Sequence, residues 1–327
     1  MSLIAAPSND RNVQHVSRRC SGTPLRRSCR LLYFAVTTAD PDELLASIIA
    51  WAQGDANVRA LILTGSRARG DGRADEFSDL DIEIIADRPE TLTSDDAWFR
   101  SFGRVWVHLP TIIAPRHETR LVFYEGGTKV DFSLCGRQRI GALVGAQKLD
   151  GLYERGYRVL VDKDGLTSAL PAASGAFPAK GLPGQAEFTA VVEEFWFEAA
   201  HIPRYLLRGE LWVVKFRDWT MKQQLLRMIE WHAIARREQP VDVWHIGTHM
   251  AEWVDAETLR ELRAVFSAFD ARSSWDGLMA TAALFRRLAI ETTAAIGLRY
   301  PVEADRGVSG YLASFHERID ALPDSDG

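Results

Sequence analysis

The chain has 327 residues, of which 46% are hydrophobic, and this length and composition allow about two domains with sizeable cores. No stretch approaches the ~18 consecutive apolar residues that a membrane-spanning helix needs. The three cysteines, at positions 20, 29 and 135, lack the spacing of a metal site, and an odd number excludes a fully paired disulfide framework. We therefore expect a cytoplasmic protein without a membrane association.

The net charge of −5 is distributed unevenly along the chain. Residues 1–38 contain six arginines and one acid, so the remainder carries a charge of −10. An acidic body of this kind argues against a nucleic-acid duplex as partner and is compatible with a cationic small molecule. The oligomeric state cannot be deduced from these properties.

Residues 1–38 are predicted to form a disordered basic arm, because they are rich in Ser, Pro, Gly and Arg and show no periodic apolar pattern before Leu31. An arginine-rich start with few acids can be a transit peptide, but the composition favours a translated leader or a misplaced start. Ordered structure should begin near Asp40-Pro41, a good N-cap followed by a good first helical residue.

Residues 39–170 are predicted to form an α+β domain. Ala60 to Leu63 is a continuous apolar run, as in a strand buried on both faces, whereas Leu80 to Ile84 alternates apolar and acidic residues. Gly126-Gly127 separates two further strand patterns and indicates a tight hairpin. A short helix over 95–102 and strands over 105–109 and 158–162 complete the pattern.

The stretch 171–185 is rich in Pro, Gly and Ala and is predicted to be a linker. The residues after it, 186–327, are predicted to form a helical domain. Apolar residues recur at helical spacing in segments whose expected bounds are 186–208, 210–237, 255–269 and 275–297.

The most informative motif is Gly65-Ser66-Arg67, followed by Asp79-Leu80-Asp81. A Gly-Ser pair between a buried strand and a helix is a place where backbone amides and a hydroxyl can hold phosphates. Asp79 and Asp81 are two residues apart on a strand, so their carboxylates leave the same face, and carboxylate oxygens suit Mg²⁺. If the strand of Asp131 lies beside theirs, three acids converge in a phosphoryl-transfer site.

These motifs resemble those of the aminoglycoside 6-adenylyltransferase (streptomycin adenylyltransferase) family, which has the nucleotidyltransferase superfold of DNA polymerase beta. The resemblance spans about residues 42–315. Its further landmarks are Lys129 to Leu134, Val161 to Asp164, Glu194-Phe195-Trp196, and Tyr300-Pro301.

The resemblance implies a polymerase-beta-like catalytic domain with a mixed sheet and a helical acceptor-binding domain. It implies Mg²⁺-dependent transfer of AMP from ATP to a hydroxyl of an aminoglycoside, with release of pyrophosphate. Gly65 and Ser66 would then hold the β- and γ-phosphates, and Asp79 and Asp81 would bind magnesium. Asp131 would bind the second metal, accept the proton of the attacking hydroxyl, or do both.

Two basic residues are further candidates for binding ATP. Arg67 would neutralise charge on the triphosphate, with a surface position in the first helical turn as the alternative. Lys163 matches a family segment near the domain junction, where it would reach a phosphate, and an exposed turn lysine is the alternative.

Three acids are candidates for binding the cationic acceptor. Glu194 and Glu198 lie on one helical stripe, and Asp218 follows within the apolar stripe of the next predicted helix. A solvated stripe is the alternative for the glutamates, and an internal ion pair with Arg217, Lys222 or a distant arginine is the alternative for Asp218.

Two other functions compete with the aminoglycoside hypothesis. One is a nucleotidyltransferase that modifies a different acceptor, such as a lincosamide, a protein side chain or RNA, although the acidic body weakens the RNA version. The other is a non-catalytic nucleotide-binding relative. The presence of all three aspartates argues against it, because clustered carboxylates are unfavourable unless they are used.

Overall fold

A computed structural model describes residues 40–113 and 117–322; the predicted basic arm of residues 1–38 lies outside the described residues. The first half of the described chain contains a six-stranded sheet in the order β3-β4-β5-β2-β1-β6. Its strands are β1 (Val58–Thr64), β2 (Leu80–Ala86), β3 (Val105–Ile113), β4 (His117–Tyr124), β5 (Lys129–Gly136) and β6 (Arg158–Asp162). Strands β2 and β5 pair in parallel and the other neighbours are antiparallel, so the predicted mixed sheet is confirmed.

Short helices cover the sheet, and longer helices make up the rest of the chain. Those of the first half, 40–170, here called the sheet part, are α1 (Pro41–Gly54), α2 (Ser66–Arg69), α3 (Pro89–Ser94), α4 (Ala97–Arg100), α5 (Gln138–Ala146) and α6 (Gly151–Glu154). Those of residues 185–322, the helical part, are α7 (Gln185–Leu207), α8 (Leu211–Arg236), α9 (Met250–Trp253), α10 (Ala256–Glu261), α11 (Ala271–Ile296), α12 (Val302–Ala313) and α13 (His316–Asp320). No helix of the described residues is long and apolar enough to cross a membrane.

Strand β1 is buried on both faces, as its continuous apolar run predicts. Leu61 and Leu63 pack into the core beneath α1, while Ala60 and Ile62 pack into a second core beneath α5 and α6. A central strand of this kind has no solvated face, so its sequence is continuously apolar instead of alternating between apolar and polar residues. The site described below lies at the end of this strand.

Local signals set the start of the first helix and the hairpin. The side chain of Asp40 accepts a hydrogen bond from the backbone N–H of Asp42 (2.9 Å) at the start of α1, with Pro41 in the first turn. Gly126 and Gly127 both have positive φ (98° and 91°) in the turn between β4 and β5. Both predictions are confirmed.

The predicted helix over 255–269 is wrong in its length. Helix α10 ends at Glu261 and continues only as a 3₁₀ turn to Ala264. Asp270 then caps α11 by accepting from the backbone N–H of Ser273 (2.7 Å), so that helix begins at Ala271 rather than 275. Helices α3, α5, α6, α12 and α13 were not predicted, since each is short or has a weak apolar period.

Candidate active site

Three aspartates meet where β2 and β5 begin. Asp81 on β2 is the direct register partner of Asp131 on β5, and Asp79 lies immediately before β2. Residues two apart on a strand project to the same face, so all three carboxylates lie on one side of the sheet. The structure thus brings together the three acids that the sequence singles out.

Lys129, which the motif analysis did not select, connects these acids. Its Nζ atom donates to Asp79 Oδ2 (2.6 Å) and to Asp131 Oδ2 (3.0 Å). A signal for it existed in the sequence, because Lys129 stands two residues before Asp131 and therefore shares its strand face. In this structure the ammonium group supplies the positive charge at the centre of the acids.

One ammonium group does not balance three carboxylates. Burial, and after it the negative charges of Asp131 and Asp79, raise the pKa of Asp81 to about 6. The cations Lys129 and Arg69 oppose this shift but do not cancel it. Burial also raises the pKa of Asp131, against the hydrogen bond from Lys129. Among the described residues, the buried Oδ1 atom of Asp131 has no contact partner besides the same ammonium group, whose Nζ lies 3.0 Å from it. An excess of carboxylate oxygens over cations fits a hard divalent cation such as Mg²⁺.

Gly65 provides the close approach between β1 and Asp81. Thr64 pairs with Asp81 across the sheet, and Gly65 follows with a φ of 68°. A Cβ atom added to Gly65 would lie 2.7 Å from Asp81 Cγ and closer still to Oδ2. Only glycine fits both the backbone conformation and the space. Ser66 begins α2 directly beside the carboxylates.

Arg67 is directed toward the turn that precedes Asp79. Its Nε donates to the carbonyl of Ser78 (2.9 Å) and its Nη2 donates to the carbonyl of Asp75 (3.1 Å). The guanidinium therefore stabilises the 75–78 turn, which places Asp79. The phosphate-binding role predicted for Arg67 stays a prediction, and this positioning role is the one that the geometry provides.

The phosphate-binding role predicted for Lys163 stays a prediction, and the contacts of this residue do not support it. Its Nζ donates to the carbonyl of Asp55 (2.6 Å), and its backbone N–H bonds to Arg59 at the beginning of β1. Gly65 follows the far end of that strand, about 20 Å away at ~3.3 Å per residue. Strand β6 runs antiparallel to β1, and this direction carries the segment after β6 away from the site.

The three acids predicted to bind the acceptor lie elsewhere and have partners within the helical part. Glu198 receives two hydrogen bonds from Arg217 (3.0 Å each), and Lys222 donates to Asp218 (2.6 Å). Glu194 accepts from Gln224 Nε2 (2.7 Å). None of the three lines the two cavities described below, so their acceptor-binding role stays a prediction that this geometry does not support. Helical periodicity identifies a face but not the neighbouring helix that covers it.

Two cavities are both lined by Asp79, and they also share Phe77 and Ser78. The first, here called the arginine cavity, measures about 360 Å³. It is lined by Ser66, Arg69, Arg73, Phe77, Ser78, Asp79, Asp81, Arg155, Asp242, Trp244, His245, Thr248 and His249. Its far wall is residues 242–249, here called the wall segment, which come from the connection between α8 and α9.

The second cavity, here called the acidic cavity, measures about 730 Å³ and is formed within the sheet part. Its acidic lining residues are Asp40, Asp42, Asp75, Glu76 and Asp79. The cations that line it, Arg67 and Lys129, are both engaged with the protein, as described above. A cationic molecule would therefore meet an excess of negative charge beside the three aspartates.

Comparison with known proteins matches the same region of the chain. The family profile described as streptomycin adenylyltransferase matches residues 39–315. An aminoglycoside 6-adenylyltransferase of Bacillus subtilis (strain 168) is 24% identical over 282 residues, which cover 84% of this chain and 97% of that protein. The protein of the same name from Campylobacter jejuni is 24% identical over 277 residues, covering 83% and 93%.

A solved structure is also similar. The crystal structure of an aminoglycoside 6-adenyltransferase from Bacillus subtilis aligns with 84% of this chain and 97% of its own, at 19% sequence identity and a TM-score of 0.41.

Proposed function

The chain belongs to the streptomycin adenylyltransferase family, and from this we propose that it transfers AMP from ATP to a hydroxyl group of an aminoglycoside-type acceptor and releases pyrophosphate. It is thus an enzyme of the nucleotidyltransferase type. The observation that supports this reaction best is the convergence of Asp79, Asp81 and Asp131 beside Gly65-Ser66, with Asp79 lining two cavities of different charge.

The three aspartates would hold Mg²⁺, because they offer oxygen ligands in excess of the cations around them. When bound, Mg²⁺ offsets the negative charge on the phosphoryl group that is transferred. When Mg²⁺ is absent, Lys129 balances part of the carboxylate charge. The lysine thereby allows the three acids to remain close together before the substrates arrive.

The arginine cavity would receive the triphosphate of ATP. Arg69 lines it together with Ser66, and a guanidinium group and a hydroxyl are suitable partners for phosphate oxygens. The α-phosphate would lie nearest to the aspartates, at the point where the two cavities meet.

The acidic cavity would receive the acceptor. An aminoglycoside carries several cationic groups, and the acids that line this cavity provide complementary charge. This placement replaces the one predicted from Glu194, Glu198 and Asp218. The acceptor would then reach Asp79 from the acidic cavity, and the triphosphate would reach it from the arginine cavity.

Asp131 is the best placed residue to accept the proton of the acceptor hydroxyl. Its carboxylate is fixed by Lys129, whose Nζ lies 3.0 Å from both Oδ1 and Oδ2. A carboxylate held in this way beside Asp81 is positioned to receive a proton from a hydroxyl that approaches the cluster.

The test is to incubate the purified protein with ATP, Mg²⁺ and a panel of acceptors, and to measure adducts by mass spectrometry. The panel contains streptomycin and other aminoglycosides, a lincosamide and a structured RNA. We expect an aminoglycoside to gain the mass of one AMP unit, and the gain to disappear with a chelator or with Asp81→Asn. Transfer to the lincosamide or the RNA alone would contradict the acceptor assignment, and transfer to none of them would contradict the proposed reaction.

A further inference from the structure

One partly buried ion pair connects the sheet part to the wall segment. Arg155, which follows α6, donates from Nη1 to Asp242 Oδ1 (2.9 Å) and from Nη2 to Asp242 Oδ2 (2.6 Å). The arginine is only 8% exposed. Two parallel hydrogen bonds fix the orientation of the carboxylate as well as its distance, which a single contact cannot do.

The same guanidinium lies over the ring of Trp244, with its Cζ atom 5.0 Å from the ring centroid. Arg155 therefore holds two residues of the wall segment at once. A second ion pair, from Arg73 to Glu252 (3.0 Å), also joins the two parts, but both of its side chains are about half exposed. Exposed pairs contribute little, so Arg155 is the stronger of the two attachments.

Arg155 is in turn packed against the candidate active site. A Cβ atom on the next residue, Gly156, would lie 3.0 Å from Arg69 Cα, so the two backbones are in close contact. Arg69 Nε donates to the carbonyl of Gly65 (3.3 Å). A continuous series of contacts thus runs from the wall segment through Arg155 and Arg69 to the glycine that abuts Asp81.

We propose that Arg155 and Asp242 are positioning residues that hold the wall segment in place as the far side of the nucleotide site. The proposal rests on the proposed function, in which the arginine cavity receives the triphosphate. Both residues line that cavity but hydrogen-bond to each other rather than to Asp79 or Asp81, so the pair acts on the reaction through the residues that it holds. Its loss should therefore weaken ATP binding much more than it slows the chemical step.

The central variant is Asp242→Asn, which keeps the size of the side chain and removes its charge. We expect KM for ATP to rise by about tenfold with kcat within about threefold of the wild type. Amide hydrogen exchange over residues 242–249 should become faster, because the segment loses its fixed attachment. Asp242→Glu keeps the charge and should recover most of the affinity for ATP.

Asp305→Asn is the matched control. Asp305 forms an equally short bidentate pair with Arg286 (2.7 and 2.6 Å) within the helical part, and neither residue lines the two cavities. This variant should lower the melting temperature while KM for ATP and exchange over 242–249 stay at wild-type values. If Asp242→Asn fails to fold, Arg155→Lys, which keeps the charge but loses the second hydrogen bond, takes its place with the same readouts.

Unchanged KM for ATP in a folded Asp242 or Arg155 variant would overturn the proposal, as would an equal rise of KM in Asp305→Asn. Wild-type protein that transfers AMP to no acceptor would instead contradict the proposed function. In that case, calorimetric affinity for a non-hydrolysable ATP analogue and the exchange of residues 242–249 still decide whether the pair positions the wall segment.

Discussion

Replacing Gly65 by alanine tests the contact between β1 and the aspartates. The substitution has two separable effects, since Gly65 has a φ of 68° and its Cβ would overlap the Asp81 carboxylate. A non-glycine residue in the left-handed region costs about 1–2 kcal/mol. That cost lowers the melting temperature by roughly 2–4 °C per kcal/mol in a protein of this size.

The overlap has a different consequence, because a carboxylate is the movable end of a side chain. Asp81 would rotate away and relieve the clash, and in doing so it would leave the position beside Asp131. Displacing a catalytic group by ~1 Å can reduce the rate by about 100-fold. We therefore expect Gly65→Ala to remain folded and to lose at least ~100-fold in AMP transfer, measured by pyrophosphate release.

Gly297→Ala is the matched control for this variant. Gly297 has a similar φ of 73° at the end of α11, and a Cβ there would meet nothing within 4 Å. It should show a comparable loss of melting temperature with normal turnover. Turnover of Gly65→Ala within tenfold of the wild type would refute the reasoning, as would an equal loss in the control.

Three further outcomes are expected. Asp81→Asn should abolish AMP transfer without lowering the melting temperature, because burial raises the pKa of Asp81 to about 6 and the neutral amide avoids that penalty. Glu76→Gln should raise KM for a cationic acceptor and weaken the salt dependence of that KM, while KM for ATP stays unchanged. The control is Glu303→Gln, which replaces an exposed acid on α12 and should change neither KM for the acceptor nor its salt dependence. Burial opposes ionisation of Asp305, but the hydrogen bonds from Arg286, Ser309 and Tyr300, together with the charge of Arg286, outweigh it and lower the pKa of Asp305. The ion pair therefore stabilises the fold above the ordinary carboxyl pKa of 3.8, and this contribution is lost as pH falls toward the lowered pKa. The free energy of unfolding of Asp305→Asn should accordingly depend less on pH in this range than that of the wild type, which acid unfolding measures.

The sequence predicts those parts of the structure that depend on short-range patterns. Strand β1, the Gly126-Gly127 turn and the first helix follow from local apolar runs and from residues with special backbone preferences. The shared face of Asp79 and Asp81 follows from the two-residue period of a strand. That β2 lies beside β5 could only be assumed, since strand order depends on the whole sheet.

The rest of the site depends on contacts between distant segments. Asp242 and Arg155 are 87 positions apart, and nothing in either local sequence indicates their pairing. Glu198 shows the same limit from another side. Its helical face follows from the sequence, but its partner Arg217 on the adjacent helix does not. Acids with internal partners and acids free to bind a ligand look alike in a sequence.

The arrangement of charge around Asp79 explains why this acid is shared by both cavities. The transfer of AMP brings a polyanion and, in the proposed reaction, a polycation to within bonding distance of each other. The acidic cavity offers a cation five acids against two cations that are engaged with the protein. The arginine cavity offers a polyanion Arg69, Arg73 and Arg155, and its own acids are Asp79 and Asp81, which would hold Mg²⁺ in the proposed reaction, and Asp242, which pairs with Arg155. Asp79 follows the turn at 75–78, held by Arg67, and lines both cavities, so it occupies the boundary where the bond must form.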